Sequence, residues 1–434
     1  MKKVISLVLF ATMSMGLLAG CGKTTNTDST SAEGKKDVTL TVLTNRTDII
    51  DTELTKFGDE YKAKTGVTIK WEGITNYDGD VKIRLNSKNY GDVLLIPNGI
   101  ANSELPQFFE PLGKNTDDNL KDYNYTDDKA VKNDDGSFTT YGLSYGMGAS
   151  GVVYNKAAFK EAGIEKFPTT LTGLYEAAAK LKAAGIVPLA TNFKDKWPLQ
   201  EWDYMAIPMS GDGSYYNTIY KETAPFSADK PNGKALKVLY EFVSNGWVEP
   251  DLTTTNWEQS KTDLGQGKVA MMFLGTWAIP QMQDNATNKE DIGFAAIPVD
   301  DSGNLSAIAS PDWRLGVSKA SENKKEAQDF LFAFIDSSFA NDNGFIPIKK
   351  GAESTNPVIK EFTSGTKLLF TSPGPNGDES DKRDKIANKA TIDFYGGIYI
   401  QKVAIAAQNS KADFDKAIED LNAKWAKAKK ELNY

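Results

Sequence analysis

Three short stretches of the chain combine residue types that can hold a small molecule. In KWPLQEWDYM, residues 196–205, three aromatic residues and Glu201 fall within the eight residues from Trp197 to Tyr204. SPDWRLGVS, residues 310–318, sets Asp312 beside Trp313, and FLGTW, residues 273–277, ends a strongly apolar run in Trp277 beside Gly275. Flat rings cover apolar ligand faces, while carboxylates, amides and arginine satisfy polar rims. Ordinary core packing competes with this reading for each of the eight tryptophans.

Composition narrows the chemistry. The 434 residues contain no histidine and one cysteine. The usual residue for proton transfer near neutral pH is therefore missing, and no intramolecular disulfide, zinc site or Ser/His/Asp triad is expected. A formal charge of −8, spread along the chain without a basic stripe, argues against nucleic acid as a partner. With 40% hydrophobic and 25% charged residues the chain reads as an ordinary folding protein, long enough for two domains. No Walker loop, dinucleotide-binding glycine fingerprint or nucleophile elbow is present, and no cofactor is expected.

Strand and helix patterns alternate. In VTLTVLTN, residues 38–45, Val38, Leu40 and Val42 alternate with threonines as in a β-strand. A helix follows over about 49–65, with apolar positions at Ile50, Leu54, Phe57 and Tyr61. Further strands are expected at GVTIKWEG, DVLLIP, TYGLSYG, GVVYN, GKVAMMFLGTW, DIGFAAIPVD and WRLGVSKA. Helices are expected near 80–89, 156–162, 171–184 and 324–335, and the stretch 386–432 reads as mainly helical. This alternation implies the α/β class, in which ligands bind at the carboxyl ends of strands. Asn45 and Arg46, ending the first strand, and Asn98, ending DVLLIPN, thus become candidates; an amide there is as readily a turn residue.

The N-terminus has its own logic. Lys2 and Lys3 precede an apolar run over 4–18, shorter than the ~20 residues that span a bilayer, and small residues then lead to Cys21. Leu18, Ala19, Gly20 and Cys21 resemble a bacterial lipobox, which implies a signal peptide over 1–20 and a lipidated Cys21. Removing residues 1–20 leaves 48 basic and 58 acidic residues, a charge of −10. Residues 22–37, polar throughout, read as a flexible tether.

The stretch YGLSYGMGASGVVYNKAAFKEAGIEKFPTTLTGLYEAAAKLKAAGIVPLA, residues 141–190, resembles the extracellular solute-binding proteins of bacterial ABC transporters, in the carbohydrate-binding group that includes maltodextrin-binding protein. GQGKVAMMFLGTWAIPQM, 265–282, and LGVSKASENKKEAQDFLFAFI, 315–335, agree in order and spacing. Two departures stand out. Tyr145 replaces a proline common after the first crossing strand, and Pro168-Thr169-Thr170 replaces Pro-Thr-Trp.

The resemblance implies an α/β, two-lobed periplasmic-binding-protein-like fold with a hinge and an interlobe ligand cleft. Lobe one would hold 38–142 plus 299–338, and lobe two 143–298 plus 339–434. It implies a monomeric receptor that does no chemistry on its ligand. Held to the extracytoplasmic face of the cell membrane through Cys21, the receptor would deliver a sugar, a di- or oligosaccharide by the number of aromatics, to permease subunits. Trp277, Trp202, Glu201, Asp312, Trp313, Tyr145 and Tyr395 would join Asn45, Arg46 and Asn98 in the site. Trp197 and Tyr204 are assigned to structure, and Tyr154 to packing. Two alternatives stay open: an organic cation such as a polyamine, caged by aromatics and acids, and a glycoside hydrolase, for which no carboxylate pair is evident.

Overall fold

In the computed structural model, which describes residues 38–75, 77–98, 100–371, 378–394 and 396–434, the alternating Val38, Leu40 and Val42 are buried. They build the strand β1 (Thr39–Thr44). Cys21, the signal and the tether lie outside the described residues. The strands continue in chain order as β2 (Thr68–Gly73), β3 (Val93–Leu95), β4 (Gly113–Lys114), β5 (Lys129–Lys132), β6 (Phe138–Ser144), β7 (Met147–Asn155) and β8 (Val187–Leu189). After them come β9 (Val269–Gly275), β10 (Ile292–Ala295), β11 (Ser306–Pro311), β12 (Arg314–Val317) and β13 (Lys367–Phe370).

They form two sheets. The first runs β2-β1-β3-β12-β6-β4, with β5 also on β6, and the second runs β13-β11-β7-β9-β8, with β10 on β7. In the first, β1 lies parallel to β2 and β3, so the carboxyl ends of all three open toward one edge. The helix expected over 49–65 is a π-turn, Ile50–Leu54, running into an α-helix, Thr55–Thr65. Gly66 stops it, adopting φ 82° while its N–H caps the Lys62 carbonyl at 2.8 Å. The helix Lys324–Ile335 buries Ala327, Phe330, Leu331, Phe334 and Ile335 against the first sheet, as its spacing predicts.

In the second lobe the YNK turn is structural. Asn155 caps the helix Lys156–Glu161 by accepting from the Ala158 N–H at 3.0 Å, and it donates to the Leu264 carbonyl at 2.8 Å. Thr170, at the second departure noted from sequence, caps the helix Leu171–Ala183 by accepting from Gly173 N–H at 3.1 Å.

The chain passes between the sheets at three places: Tyr145–Gly146, Asp312–Trp313 and Phe345–Ile346. At the third, Phe345 is buried with the first sheet's core and Ile346 with the second's. These crossings lie side by side, because Met147 and Ile346 exchange N–H···O bonds of 2.7 and 2.8 Å and Asp312 N–H donates to the Gly146 carbonyl at 2.9 Å. Sheet membership differs from the boundaries read from sequence in three segments. Leu143 and Ser144, read into lobe two, belong to β6 of the first sheet. The strand β11, within 299–338, pairs with β7 and β13 in the second sheet. Phe339, Ala340, Phe345 and Ile348, beyond 338, pack into the first core.

Candidate functional site

The hinge crossings carry a hydrogen-bonded polar group. The Tyr145 hydroxyl donates to Asp312 Oδ1 at 3.1 Å, and the Trp313 backbone N–H donates to the same oxygen at 2.7 Å. Asp312 Oδ2 has no hydrogen-bond partner among the described residues. Burial lifts the Asp312 carboxyl above its ordinary value, against the pull of both donors. Tyr145 itself is buried among Phe334, Phe339 and Phe345, edge-on to each. It therefore fixes Asp312 from behind.

Glycines clear the floor in front of Asp312. A Cβ on Gly148 in β7 would sit 3.7 Å from Asp312 Oδ2 and 4.0 Å from Trp277 Cδ1, so carboxylate and indole face the same patch of backbone. On β9, a Cβ on Gly275 would lie 2.4 Å from Trp277 Nε1. The indole can lie over this strand end only because the position is glycine. Ser150, opposite Gly275 in the β7–β9 register, shares the Gly148 face, two residues along.

The loop after β8 supplies the rest of this wall. Trp197 lies 5.6 Å from Trp277 and 5.0 Å from Trp257, and Trp257 lies 6.1 Å from Trp277, all half-buried. Within the same loop Asn192 Oδ1, Asp195 Oδ2 and Glu201 Oε2 are buried with no hydrogen-bond partner. Such groups cost about 1–3 kcal/mol each unless something satisfies them. Two residues of the loop other than glycine take positive φ, Asn192 at 53° and Lys196 at 66°. The strain is held by Thr191, which donates to Glu249 through N–H (2.8 Å) and hydroxyl (2.5 Å), and by Gln401, which donates to the Phe193 carbonyl at 2.6 Å.

On the first lobe, Trp313 packs edge-on against Tyr77 at 5.4 Å. The Tyr77 hydroxyl accepts from Leu95 N–H at 2.9 Å and lies 3.1 Å from the Leu95 carbonyl, anchoring the pair at the carboxyl end of β3. Asn45, just past β1, keeps a buried Oδ1 without a partner.

The model of the bacterial extracellular solute-binding protein family matches residues 46–337. The chain belongs to that family. This solute-binding protein is 23% identical to the multiple sugar-binding protein of Streptococcus mutans over 85% of its own chain and 87% of that one. Among solved structures it is similar to a manno-oligosaccharide-specific solute-binding protein of Bifidobacterium animalis subsp. lactis bound to mannotriose: TM-score 0.82, 29% identity, 91% of this chain and 95% of that one. A second binding protein from the same organism, an ABC transporter component bound to mannobiose, gives TM-score 0.81 and 30% identity over 91% and 95% of the two chains. The two-lobed fold with its hinge and cleft is that of these structures. Among the described residues of the solute-binding protein no helix is long and apolar enough to cross a membrane.

Placed on this frame, the candidates from sequence separate. Trp277 and Trp313 are half-buried rings, and Asp312 Oδ2, Asn45 Oδ1 and Glu201 Oε2 have no hydrogen-bond partner among the described residues. Trp202 differs: it is buried against Phe273 at 5.0 Å inside the second core. Arg46 is occupied, because its guanidinium donates twice to Asp48 at 2.8 Å and once to Asn343 at 2.8 Å. Burial works against ionisation of Asp48, but Arg46 outweighs it and holds the carboxyl below its ordinary value. Asn98 is exposed and tied to Asp78 through N–H and Nδ2 at 2.7 and 3.0 Å. Tyr145 acts behind Asp312, and Tyr395 lies outside the described residues. Asn192, Asp195, Tyr77 and Trp257 were not singled out from sequence. Of these only Trp257 carried a signal, its residue type.

Proposed function

We propose that this solute-binding protein is the carbohydrate receptor of an ABC importer and that its ligand is a di- or oligosaccharide, with manno-oligosaccharides the first class to test. The observation that carries the reading is the convergence of the Trp277 indole and the unpartnered Asp312 Oδ2 over the glycine floor at Gly148. A ring beside a free carboxylate oxygen matches a sugar, whose C–H face stacks and whose hydroxyls donate. Trp197, Trp257 and Trp313 extend the apolar surface enough for more than one ring. The proteins with TM-scores of 0.81 and 0.82 were solved with mannobiose and mannotriose, which supports the same class.

Capture works as a population shift. Sugar contacts both lobes only when they close, so it stabilises the closed form, which the permease recognises. The receptor leaves the sugar intact, acts as a monomer and is retained on the outer face of the cell membrane by lipid on Cys21. An organic cation is disfavoured because the aromatic cluster already holds a cation: Lys261 Nζ lies 5.4 Å over the Trp257 ring. A thermal-shift panel of mannobiose, mannotriose, raffinose and spermidine tests the reading. A rise in Tm with an oligosaccharide is expected; a rise with spermidine alone would sink it.

A further inference from the structure

The hydrogen-bonding capacity left open around the cleft is of one kind. Asn45 Oδ1, Asn192 Oδ1 and Asp195 Oδ2 are buried without a partner, and Asp312 Oδ2 has none among the described residues. All four are acceptors. The charged and amide donors nearby are spent within the protein. Arg46 gives its guanidinium to Asp48 and Asn343, Arg314 Nε donates to Asp128 at 2.5 Å, and Asn98 Nδ2 donates to Asp78 at 3.0 Å. Lys261 is paired with Glu258 at 2.9 Å, and Lys194 and Lys196 are exposed to water. We propose that the cleft selects its ligand by the hydroxyl donors of a neutral sugar and excludes acidic sugars, with Asn192 and Asp195 as specificity-determining residues beside Asp312. This deepens, and rests on, the carbohydrate reading above.

Local packing places Asn192 and Asp195 at the carboxyl end of the second sheet. The strands β8 and β9 are parallel, so the loop leaving β8 lies where β9 runs out to Gly275 and Trp277. Asn192 Nδ2 touches Met272 Sδ on β9 at 3.7 Å, which leaves Oδ1 as the open atom of that amide. Asp195 N–H donates to the Asn192 carbonyl at 3.0 Å, tying the two residues into one turn. Trp197, two residues further on, packs against Trp277 at 5.6 Å, and Trp277 shares the Gly148 floor with Asp312 Oδ2. The positive φ of Asn192 and Lys196 is held by Glu249 and Gln401, so the acceptors are fixed before a ligand arrives.

A neutral sugar ring carries a hydroxyl donor on most of its carbons and can satisfy these oxygens in turn. A uronate ring cannot do so at the carbon where a carboxylate replaces the hydroxymethyl group. That exchange removes a donor, leaving a buried acceptor unmet, and sets a negative charge against Asp195 and Asp312 where the neighbouring cations are already paired. Missing donor and charge repulsion act in the same direction.

Mannotriose and trimannuronate, both β-1,4-linked, differ only in carrying hydroxymethyl or carboxylate at C6. Titration calorimetry at pH 7 compares them; if another oligosaccharide of the panel binds instead, its C6-oxidised form takes the place of trimannuronate. We expect the acidic sugar to bind at least about a hundredfold more weakly. D195N swaps one charged acceptor for a near-isosteric amide and should narrow that gap about tenfold, whereas general damage to the lobe would weaken both sugars alike. If D195N fails to fold, the wild-type comparison still decides. Affinity for the acidic sugar within about tenfold of the neutral one overturns the proposal while leaving sugar binding intact, as does a folded D195N protein with an unchanged gap. Absence of binding by any sugar overturns both readings.

Discussion

The Tyr145 hydroxyl reaches Asp312 Oδ1 at 3.1 Å, joining two chain crossings that are 167 residues apart in sequence. At the first crossing this protein has a residue that orients the carboxylate its ligand would meet. Y145F keeps the ring in its aromatic surroundings and deletes only that bond. A hydrogen bond to a charged group contributes about 1.5–3 kcal/mol, so sugar affinity should fall about tenfold with little change in Tm. Calorimetry and a melting curve on the same sample check this; unchanged affinity would show that Asp312 needs no support from Tyr145.

Two tryptophans of similar sequence promise should behave in opposite ways. W277A should weaken sugar binding about tenfold or more while the lobe stays folded, because its ring faces the Gly148 floor. W202A should lower stability by about 3–5 kcal/mol, because it leaves a cavity against Phe273. Denaturant unfolding together with ligand titration separates the two losses.

Glu201 also makes stability depend on pH. Its carboxyl ionises near 4.5 when unfolded and near about 7 when buried. Below the first value both states hold the proton; between the two only the unfolded chain gives it up, so rising pH destabilises the fold; above the second the penalty is constant. The ligand-free protein should therefore lose on the order of 3 kcal/mol through this group between pH 4.5 and 7. E201Q removes that component. Parallel melting curves of the two proteins across this range measure it, and identical pH slopes would refute the assignment.

Membrane retention has a separate test. In Cys21→Ser the thiol that would carry the lipid is gone, so the receptor should move from the membrane fraction to the soluble or secreted one. An unchanged membrane fraction would refute the anchor.

How much of this was legible beforehand depended on where the determining contact lay. The alternation at 38–45 and the helical spacing at 324–335 are local patterns, and both elements formed as read. The strand β11, with its sequence SAIASP, has no strong pattern and exists because β7 and β13 pair with it from far along the chain. Trp202 and Trp277 are the same residue type, and only the facing strand decides between them: Phe273 opposes one, and Gly148 leaves room for the other. Arg46 looked free to bind because its partners, Asp48 and Asn343, come partly from 297 residues away. The unpartnered oxygens of Asn192 and Asp195 depend on burial by the folded loop, which composition does not encode.

Titration calorimetry with mannobiose and mannotriose, run beside spermidine, tests the central claim most directly. The account predicts saturable binding of an oligosaccharide to one site and none of the cation. Saturable binding of spermidine with no heat from any sugar would contradict it.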